Sequence, residues 1–160
     1  MDKQTFSIEP IGFIQAQNGD FSIQIQEKYR PALLGLDEYS HVQVTWWANL
    51  MDSREFRSLL VAEKPYTKGP DKIGIFATRS PARPNPLAIT STAIIRIDQK
   101  SGTIFVPYID AEDGTPVIDL KPYHPSTERI REVRVPQWND HWPKWLEDSG
   151  EFDWEAEFNF

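Results

Sequence analysis

Cysteine is absent from this chain of 160 residues, which excludes disulfide bonds and thiolate metal sites. No apolar run approaches the roughly 18 residues that a membrane-spanning helix needs, so no membrane partner is expected. The start of the chain, Met1-Asp2-Lys3-Gln4, is polar and does not resemble an export signal. These absences predict a cytoplasmic protein.

Positive charge and histidine are also scarce. The chain has 17 lysines and arginines against 24 aspartates and glutamates, a formal net charge of −7 at pH 7. Such a charge disfavours non-specific binding to nucleic acid, which depends on neutralising phosphates. The histidines, His41, His124 and His141, lack the spacing of metal ligands, so no metal is predicted. A glycine-rich phosphate loop is missing too, which argues against a Rossmann nucleotide-binding domain.

Thirteen prolines and an aromatic fraction of 12% favour short strands and ordered loops over a helical bundle. Alternating or β-branched runs predict strands at 8–14, 22–26, 41–50, 73–76, 87–98, 103–109 and 117–120. Short helices are expected at 52–60 and 137–146. About seven strands with minor helix predict an all-β fold, either a barrel or a sandwich. We expect one domain over residues 1–137, and an aromatic and acidic tail over 138–160 that forms no separate domain.

The segment from Ile73 to Leu87 carries the most information. An apolar run ends in Arg79 and Arg83, which lie among three prolines. Proline restricts its own backbone and that of the preceding residue, so the segment is predicted to be a stiff, non-helical loop. Stiffness reduces the entropy lost when arginines engage an anion. On composition alone, however, an ordinary surface turn with two solvated arginines is favoured.

An acidic turn, Asp110-Ala111-Glu112-Asp113-Gly114-Thr115-Pro116, follows the strand that is predicted to end near Ile109. A plain turn with exposed acids is the favoured interpretation, because this composition is common in turns. The alternative is a rim where a carboxylate and free amides hold a ribose, an amine or an adenine edge. Lys121-Pro122-Tyr123 forms a further stiff segment, either an ordered loop or a polar edge of the same pocket. For His41, on a predicted strand, a structural role is favoured over a functional one.

Four blocks of the chain, in order, resemble the TsaA-like family (also called the TrmO or YaeB family) of S-adenosylmethionine-dependent tRNA N6-methyltransferases. The blocks are Pro10 to Ile14, Leu34 to His41, Gly74 to Pro86 and Asp113 to Tyr123. The resemblance implies a single-sheet β-barrel and a homodimer that binds S-adenosylmethionine. It also implies methylation of N6 of threonylcarbamoyladenosine, beside the anticodon of a tRNA.

The resemblance also implies roles for particular residues. Arg83, Asn85, Lys121 and Tyr123 are expected to bind substrate. Unless water takes the N6 proton, either Asp113 or His41 is expected to act as the catalytic base that removes it. Arg79 suits the carboxylate of the cofactor, which a guanidinium binds bidentately. The full set expected to bind the cofactor is Gln15, Ala16, Gln17, Asn49, Leu50, Arg79, Leu87, Ile89, Asp110, Asp113, Gly114, Thr115 and Pro116.

The chain departs from the family pattern in places. Trp46-Trp47-Ala48-Asn49 stands where members often carry a histidine, and Pro86-Leu87-Ala88 replaces the usual Pro-Ile-Gly. Two alternatives therefore stay open. One is a methyltransferase that uses the same cofactor on a small molecule or another nucleoside. The other is a non-catalytic module that binds a nucleotide or an anion.

Overall fold

The computed structural model describes residues 4–159 and confirms a mostly β fold with little helix. Residues 1–3 of the predicted domain and residue 160 of the predicted tail lie outside the described residues. The strands are β1 (Gly12–Gln17), β2 (Asp20–Ile25), β3 (His41–Trp47), β4 (Val61–Glu63), β5 (Lys72–Gly74), β6 (Leu87–Ala93), β7 (Arg96–Asp98), β8 (Thr103–Val106) and β9 (Pro116–Pro122). The α-helices are α1 (Arg54–Ser58) and α2 (Pro125–Glu128). The 3-10 helices span Glu27–Leu33, Leu36–Glu38, Asn49–Met51, Ile75–Ala77, Gln137–Asn139 and Glu147–Glu151. No helix within 4–159 is long and apolar enough to cross a membrane.

The chain divides into two compact units, the first of which holds the large sheet. Its described residues are 4–53 and 85–129. Seven strands lie in the order β6-β3-β9-β1-β2-β8-β7, and every neighbouring pair is antiparallel. β9 thus pairs with β3 on one side and β1 on the other, although 68 or more residues separate it from either strand in sequence.

Two predicted hairpins form with the expected turn chemistry. Between β1 and β2, Asn18 and Gly19 have φ angles of 54° and 83°. Positive φ at both positions is what a two-residue turn needs to match the twist of its strands. Between β7 and β8, Gly102 also has a positive φ, and its amide bonds the carbonyl of Asp98 at 2.8 Å. Both turns were predictable because Asn and Gly tolerate this backbone conformation.

Alternation along each strand places the core on one face of the sheet. Val42 and Val44 of β3 are fully buried, as the alternating pattern predicts. Ile14, Ile23 and Ile104, from β1, β2 and β8, are fully buried in the same cluster. Each such side chain contributes about 1.5–3 kcal/mol by leaving water. The opposite face of the sheet therefore carries the polar residues of these strands.

The predicted strand at 87–98 is two strands in the structure, β6 and β7, which form opposite edges of the sheet. The break lies at Ile94, whose amide bonds the carbonyl of Ser40, and Ile95, whose amide bonds that of Phe105, both at 2.8 Å. Ile94 thus bonds to the residue before β3, near one edge of the sheet, while Ile95 bonds to β8, near the other edge. No pairing between β6 and β7 closes the sheet in the described part of the chain, so the barrel stays a prediction.

The second unit comprises described residues 54–84 and 130–159. It contains α1, the two-stranded β4–β5 sheet and an aromatic cluster. Tyr66 stacks on Trp138 with ring centroids 4.8 Å apart, and Trp142 meets Trp154 edge-on at 5.2 Å. The aromatic tail packs in this way with residues 54–84, while the domain boundary at 137/138 stays a prediction. The helix expected at 137–146 is reduced to a 3-10 turn, because Pro143 disfavours helix in the residue before it.

A buried carboxylate links the two segments of this unit. Glu157 is only 6% exposed, and its Oε2 accepts a hydrogen bond of 3.0 Å from Nε1 of Trp142. Its Oε1 lies 2.7 Å from Nε2 of His141 and 3.7 Å from Nζ of Lys68. Its carbonyl accepts the amide of Thr67 at 3.0 Å. The contact with His141, then that with Trp142, lowers the pKa of Glu157 below its ordinary value.

Replacing Glu157 by glutamine is therefore expected to lower the melting temperature at pH 7. A lowered folded-state pKa gives stability that is present above the ordinary value of 4.5 and is lost as pH falls through the folded value. The difference between the two proteins should shrink between pH 5 and pH 3, as followed by circular dichroism. The exposed Glu155→Gln is the matched control and should change little. A difference that stays constant down to pH 3 would contradict this assignment.

Substituting Gly12 by alanine tests how closely β1 approaches β2. A Cβ at Gly12 would lie 2.4 Å from the carbonyl oxygen of Gln24 and 3.0 Å from Cδ1 of Ile25. The strands must move apart to admit it, at a cost of about 1–3 kcal/mol in unfolding free energy. Gly74→Ala is the control, because no atom lies within 4 Å of a Cβ there. Urea unfolding measures both, and equal free energies would refute the close approach.

Candidate functional site

Strand pairing in the first unit gathers several loops at one end of the large sheet. Ala88 pairs with Trp46, Trp46 with Val117, and Val117 with Gly12, so these four residues form one row across the sheet. Because all neighbours are antiparallel, the ends of β1 and β3 and the starts of β6 and β9 lie on the same side of this row. We call this side the loop end. The loop end holds most of the residues that are predicted to bind the cofactor: Gln15, Ala16, Gln17, Asn49, Leu50, Leu87, Asp110, Asp113, Gly114, Thr115 and Pro116. Ile89 lies one position past the row, toward the opposite end of the sheet.

The Asp113 carboxylate joins the acidic turn to the end of β1. Its Oδ1 accepts the amide of Ala16 at 3.0 Å, and its Oδ2 accepts Nε2 of Gln17 at 3.1 Å. Backbone bonds support the same contact: the amide of Gly114 donates to Ile14 at 2.8 Å. The bond from Ala16, followed by that from Gln17, holds the pKa of Asp113 below its ordinary value. An exposed carboxylate fixed in this way is a good acceptor and a weak base.

Apolar side chains are exposed at the same end. Leu50 is 69% exposed, Leu87 38% and Ile89 48%. Leu87 pairs with Trp47 and Ile89 with Thr45, so both lie on β6 beside β3. The amide of Ala48 bonds the carbonyl of Pro86 at 2.8 Å and holds the start of β6 to the end of β3. The loop end therefore offers both a carboxylate and an apolar surface to a ligand.

His41, Lys121 and Tyr123 lie at the opposite end of the sheet. The amide of Tyr123 bonds the carbonyl of His41 at 3.0 Å, and Nδ1 of His41 lies 2.8 Å from Oγ of Ser40. Lys121 forms an ion pair with Asp119. His41 lies five residues from Trp46 along β3, about 17 Å at the usual rise. The structure thus does not bring His41 and Asp113 together within the chain.

The two arginines of the proline-rich loop belong to the second unit. The loop is non-helical, as predicted, and side chains brace it: Oγ1 of Thr78 donates to the carbonyl of Ile75 at 2.8 Å and accepts the amide of Ser80 at 3.2 Å. Arg79 is exposed, while Arg83 is half-buried with Nη1 3.5 Å from the carbonyl of Ser80. Asn85, at the start of the next segment of the first unit, is exposed. Their expected roles stay predictions.

Sequence reasoning missed two features on the outward face of the sheet. Ser22, which is nearly buried, donates from Oγ to Oε1 of Gln15 at 3.0 Å. Arg96 lies with its guanidinium carbon 3.5 Å from the centre of the Phe105 ring. The alternation of β2 placed Ser22 outward, but its neighbours depend on the register with β1 and β8. In the described part of the chain, no group of three or more His, Asp or Glu residues could hold a metal ion.

Both the fold and the sequence resemble those of known proteins. A crystal structure of TrmO superposes with a TM-score of 0.64 at 26% identity, over 82% of this chain and 64% of that one. A probable S-adenosyl-L-methionine-binding protein of Halobacterium salinarum is 39% identical over 101 residues, which are 63% of this chain and 73% of that protein. A tRNA (adenine(37)-N6)-methyltransferase of Mus musculus is 32% identical over 110 residues, 69% of this chain and 24% of it.

The protein therefore has a TrmO-like antiparallel β fold. The sequence profile of the tRNA-methyltransferase O N-terminal domain matches residues 4–129, and the chain belongs to that family. It spans a little under two thirds of the solved TrmO chain. The profile includes every residue that the sequence assigned to the site.

A nuclear magnetic resonance titration can test the Asp113 contact. The amide proton of Ala16 should shift as the carboxyl of Asp113 titrates, with a midpoint below the ordinary value of 3.8. Asp113→Asn should abolish this titration, because the amide side chain does not ionise. Glu112→Gln, whose change lies one residue earlier, should leave it intact. If the chemical shift of the Ala16 amide proton does not change with pH in the unaltered protein, the hydrogen bond is absent.

Proposed function

We propose that this protein is an S-adenosylmethionine-dependent methyltransferase that acts on tRNA. The observation that carries the proposal is the family match, which runs from residue 4 to residue 129 and contains the whole loop end. Relatives named for S-adenosylmethionine binding and for tRNA adenine methylation support the cofactor and the substrate class. The preferred target is N6 of threonylcarbamoyladenosine next to the anticodon.

The chemistry of the loop end fits this cofactor. The Asp113 carboxylate keeps lone pairs beyond those used by Ala16 and Gln17, and they suit ribose hydroxyls or an ammonium group. Leu50, Leu87 and Ile89 are exposed although they are apolar, and they suit an adenine ring or a thioether.

When bound, the cofactor would supply an electrophilic methyl group: a carbon–nitrogen bond would form at N6 as the carbon–sulfur bond breaks, and N6 would lose a proton. Because charge disperses in such a transfer, positioning matters more than strong acid or base catalysis. The residues of this chain would hold the reactants and exclude water. Asp113 already accepts two hydrogen bonds that lower its pKa, so we assign it the role of fixing the loop. The proton would then leave to water.

We further infer the finer features of the fold and assembly. The two edge strands β6 and β7 are joined by only two residues, whose amides bond Ser40 and Phe105. This continuity supports a sheet that curls into a barrel with the joined strands at its seam. A homodimer and a cytoplasmic location are part of the same proposal, on the basis of the family resemblance. Size-exclusion chromatography with light scattering would test the dimer.

Two measurements test the function. Calorimetry should detect binding of S-adenosylmethionine, and Asp113→Ala should weaken it about tenfold, since the substitution removes a charged hydrogen-bond acceptor. Glu112→Ala is the matched control. A methylation assay should show transfer to threonine-accepting tRNA that carries the threonylcarbamoyl group, and little transfer to the unmodified tRNA.

The outcomes separate the alternatives. Absence of S-adenosylmethionine binding would refute both enzyme hypotheses and leave the anion-binding module. Binding without transfer to either tRNA would favour a small molecule or another nucleoside as substrate. Mass spectrometry of nucleosides from a deletion strain should show loss of the methylated threonylcarbamoyladenosine.

A further inference from the structure

A groove of about 370 Å³ opens on the outward face of the large sheet, at the loop end. It is lined by Gly19 and the start of β2, by Ile95 and the first residue of β7, Arg96, and by Phe105 to Pro107 at the end of β8 and just after it. The strand register explains its walls: Gln15 pairs with Ser22, Ser22 with Phe105, and Phe105 with Arg96. The row thus runs from a predicted cofactor residue on β1 into the groove.

Arg96 is held flat against an aromatic ring, and its polar edge is open. Its guanidinium carbon lies 3.5 Å from the ring centre of Phe105, close enough for direct stacking. Within residues 4–159 the Arg96 side chain is exposed and has no hydrogen bond or salt bridge. Its charge acts on the carboxyl of Asp98, whose pKa is lowered mainly by hydrogen bonds from Ser101. One face of the guanidinium and all its N–H donors therefore remain available to a ligand.

Asp20 lines the same groove with an open acceptor. In the described part of the chain its exposed carboxylate makes no hydrogen bond or salt bridge. Ser22 is nearly buried beside it, and Oγ of Ser22 already donates to Gln15. The groove thus combines the planar guanidinium of Arg96, the ring of Phe105 and the carboxylate of Asp20 on one face of the sheet.

We propose that this groove binds an unpaired guanosine of an RNA strand. A base stacks on the free face of the Arg96 guanidinium, which Phe105 supports from behind. The in-plane N–H donors of Arg96 then meet a phosphate of the strand. The carboxylate of Asp20 accepts from N1–H and the amino group, two adjacent donors that guanine has and adenine lacks. This inference draws on the proposed function only in taking RNA as the macromolecule.

The charge of the protein favours this type of contact over a phosphate-binding surface. A net charge of −7 repels RNA as a whole, so the single phosphate contact of Arg96 must be supplemented by stacking and by hydrogen bonds to a base. The groove also lies at the loop end, on the same outward row as Gln15. A base held there would direct the strand toward the predicted cofactor loops.

Fluorescence anisotropy with short labelled uridine oligonucleotides tests the proposal. One oligonucleotide carries a single central guanosine, a second carries adenosine there, and free guanosine monophosphate serves as competitor. The guanosine strand should bind about tenfold more tightly than the adenosine strand. Free guanosine monophosphate should compete weakly, because it lacks the neighbouring phosphates of a strand. Equal affinity for the two strands, or competition by the free nucleotide at equal concentration, would overturn the proposal.

Variants assign the contacts. Arg96→Ala should weaken binding of the guanosine strand about tenfold, and Arg96→Lys should weaken it similarly, because charge without the planar group cannot stack. Lys100→Ala, the same charge change in the following turn, is the control and should leave binding unchanged. Asp20→Asn should remove the preference for guanosine. Arg96 variants that bind like the control would refute the site.

Calorimetry with S-adenosylmethionine on the same variants keeps this inference separate from the proposed function. Arg96→Ala and Asp20→Asn should bind S-adenosylmethionine as the unaltered protein does, which also shows that they fold. If the unaltered protein binds no S-adenosylmethionine, the proposed function fails while the oligonucleotide result still decides the groove.

Discussion

The pairing of β9 with β3 on one side and β1 on the other is the constraint on which the site depends. Val117 meets Trp46 and Gly12, and this register brings the loops after β1 and β3 to the same end as the loop before β9. A slip of one residue would exchange the two faces of β9 and bury its polar side chains. The absence of a side chain at Gly12 permits β1 to approach β2 within that register. The position of the Asp113 carboxylate therefore follows from contacts distant in sequence.

Local sequence patterns correctly predicted the turns and strands that local chemistry determines. Asn18-Gly19 supplied a turn with positive φ, and the alternation of Val42 and Val44 gave the buried face of β3. The break between β6 and β7 could not be predicted, because apolar residues continue through it. What ends β6 is a change of hydrogen-bond partner, from Ser40, which is remote in sequence, to Phe105 in the following hairpin.

The same limit applies to the site. The family blocks identified the loop after β1 and the acidic turn as parts of one site, and strand pairing does bring them together. They did not reveal that Asp113 serves first as an acceptor for Ala16 and Gln17, which lowers its basicity. The family blocks also did not show that His41 lies far from the loop end. The end of the sheet at which a residue lies can be assigned only when the register of the strands is known. Arg96 and Phe105 were missed for this reason.

Acidity and RNA recognition are compatible if contacts are few and local. Each phosphate contact in a basic protein adds affinity that salt weakens, whereas stacking on an aromatic-supported arginine is less sensitive to ionic strength. The long-range repulsion from a charge of −7 lowers the affinity for every RNA alike. A base that fits one groove recovers affinity that other sequences do not. In the proposed binding mode, an acidic surface with one stacked arginine would therefore increase discrimination between RNAs at the expense of overall affinity.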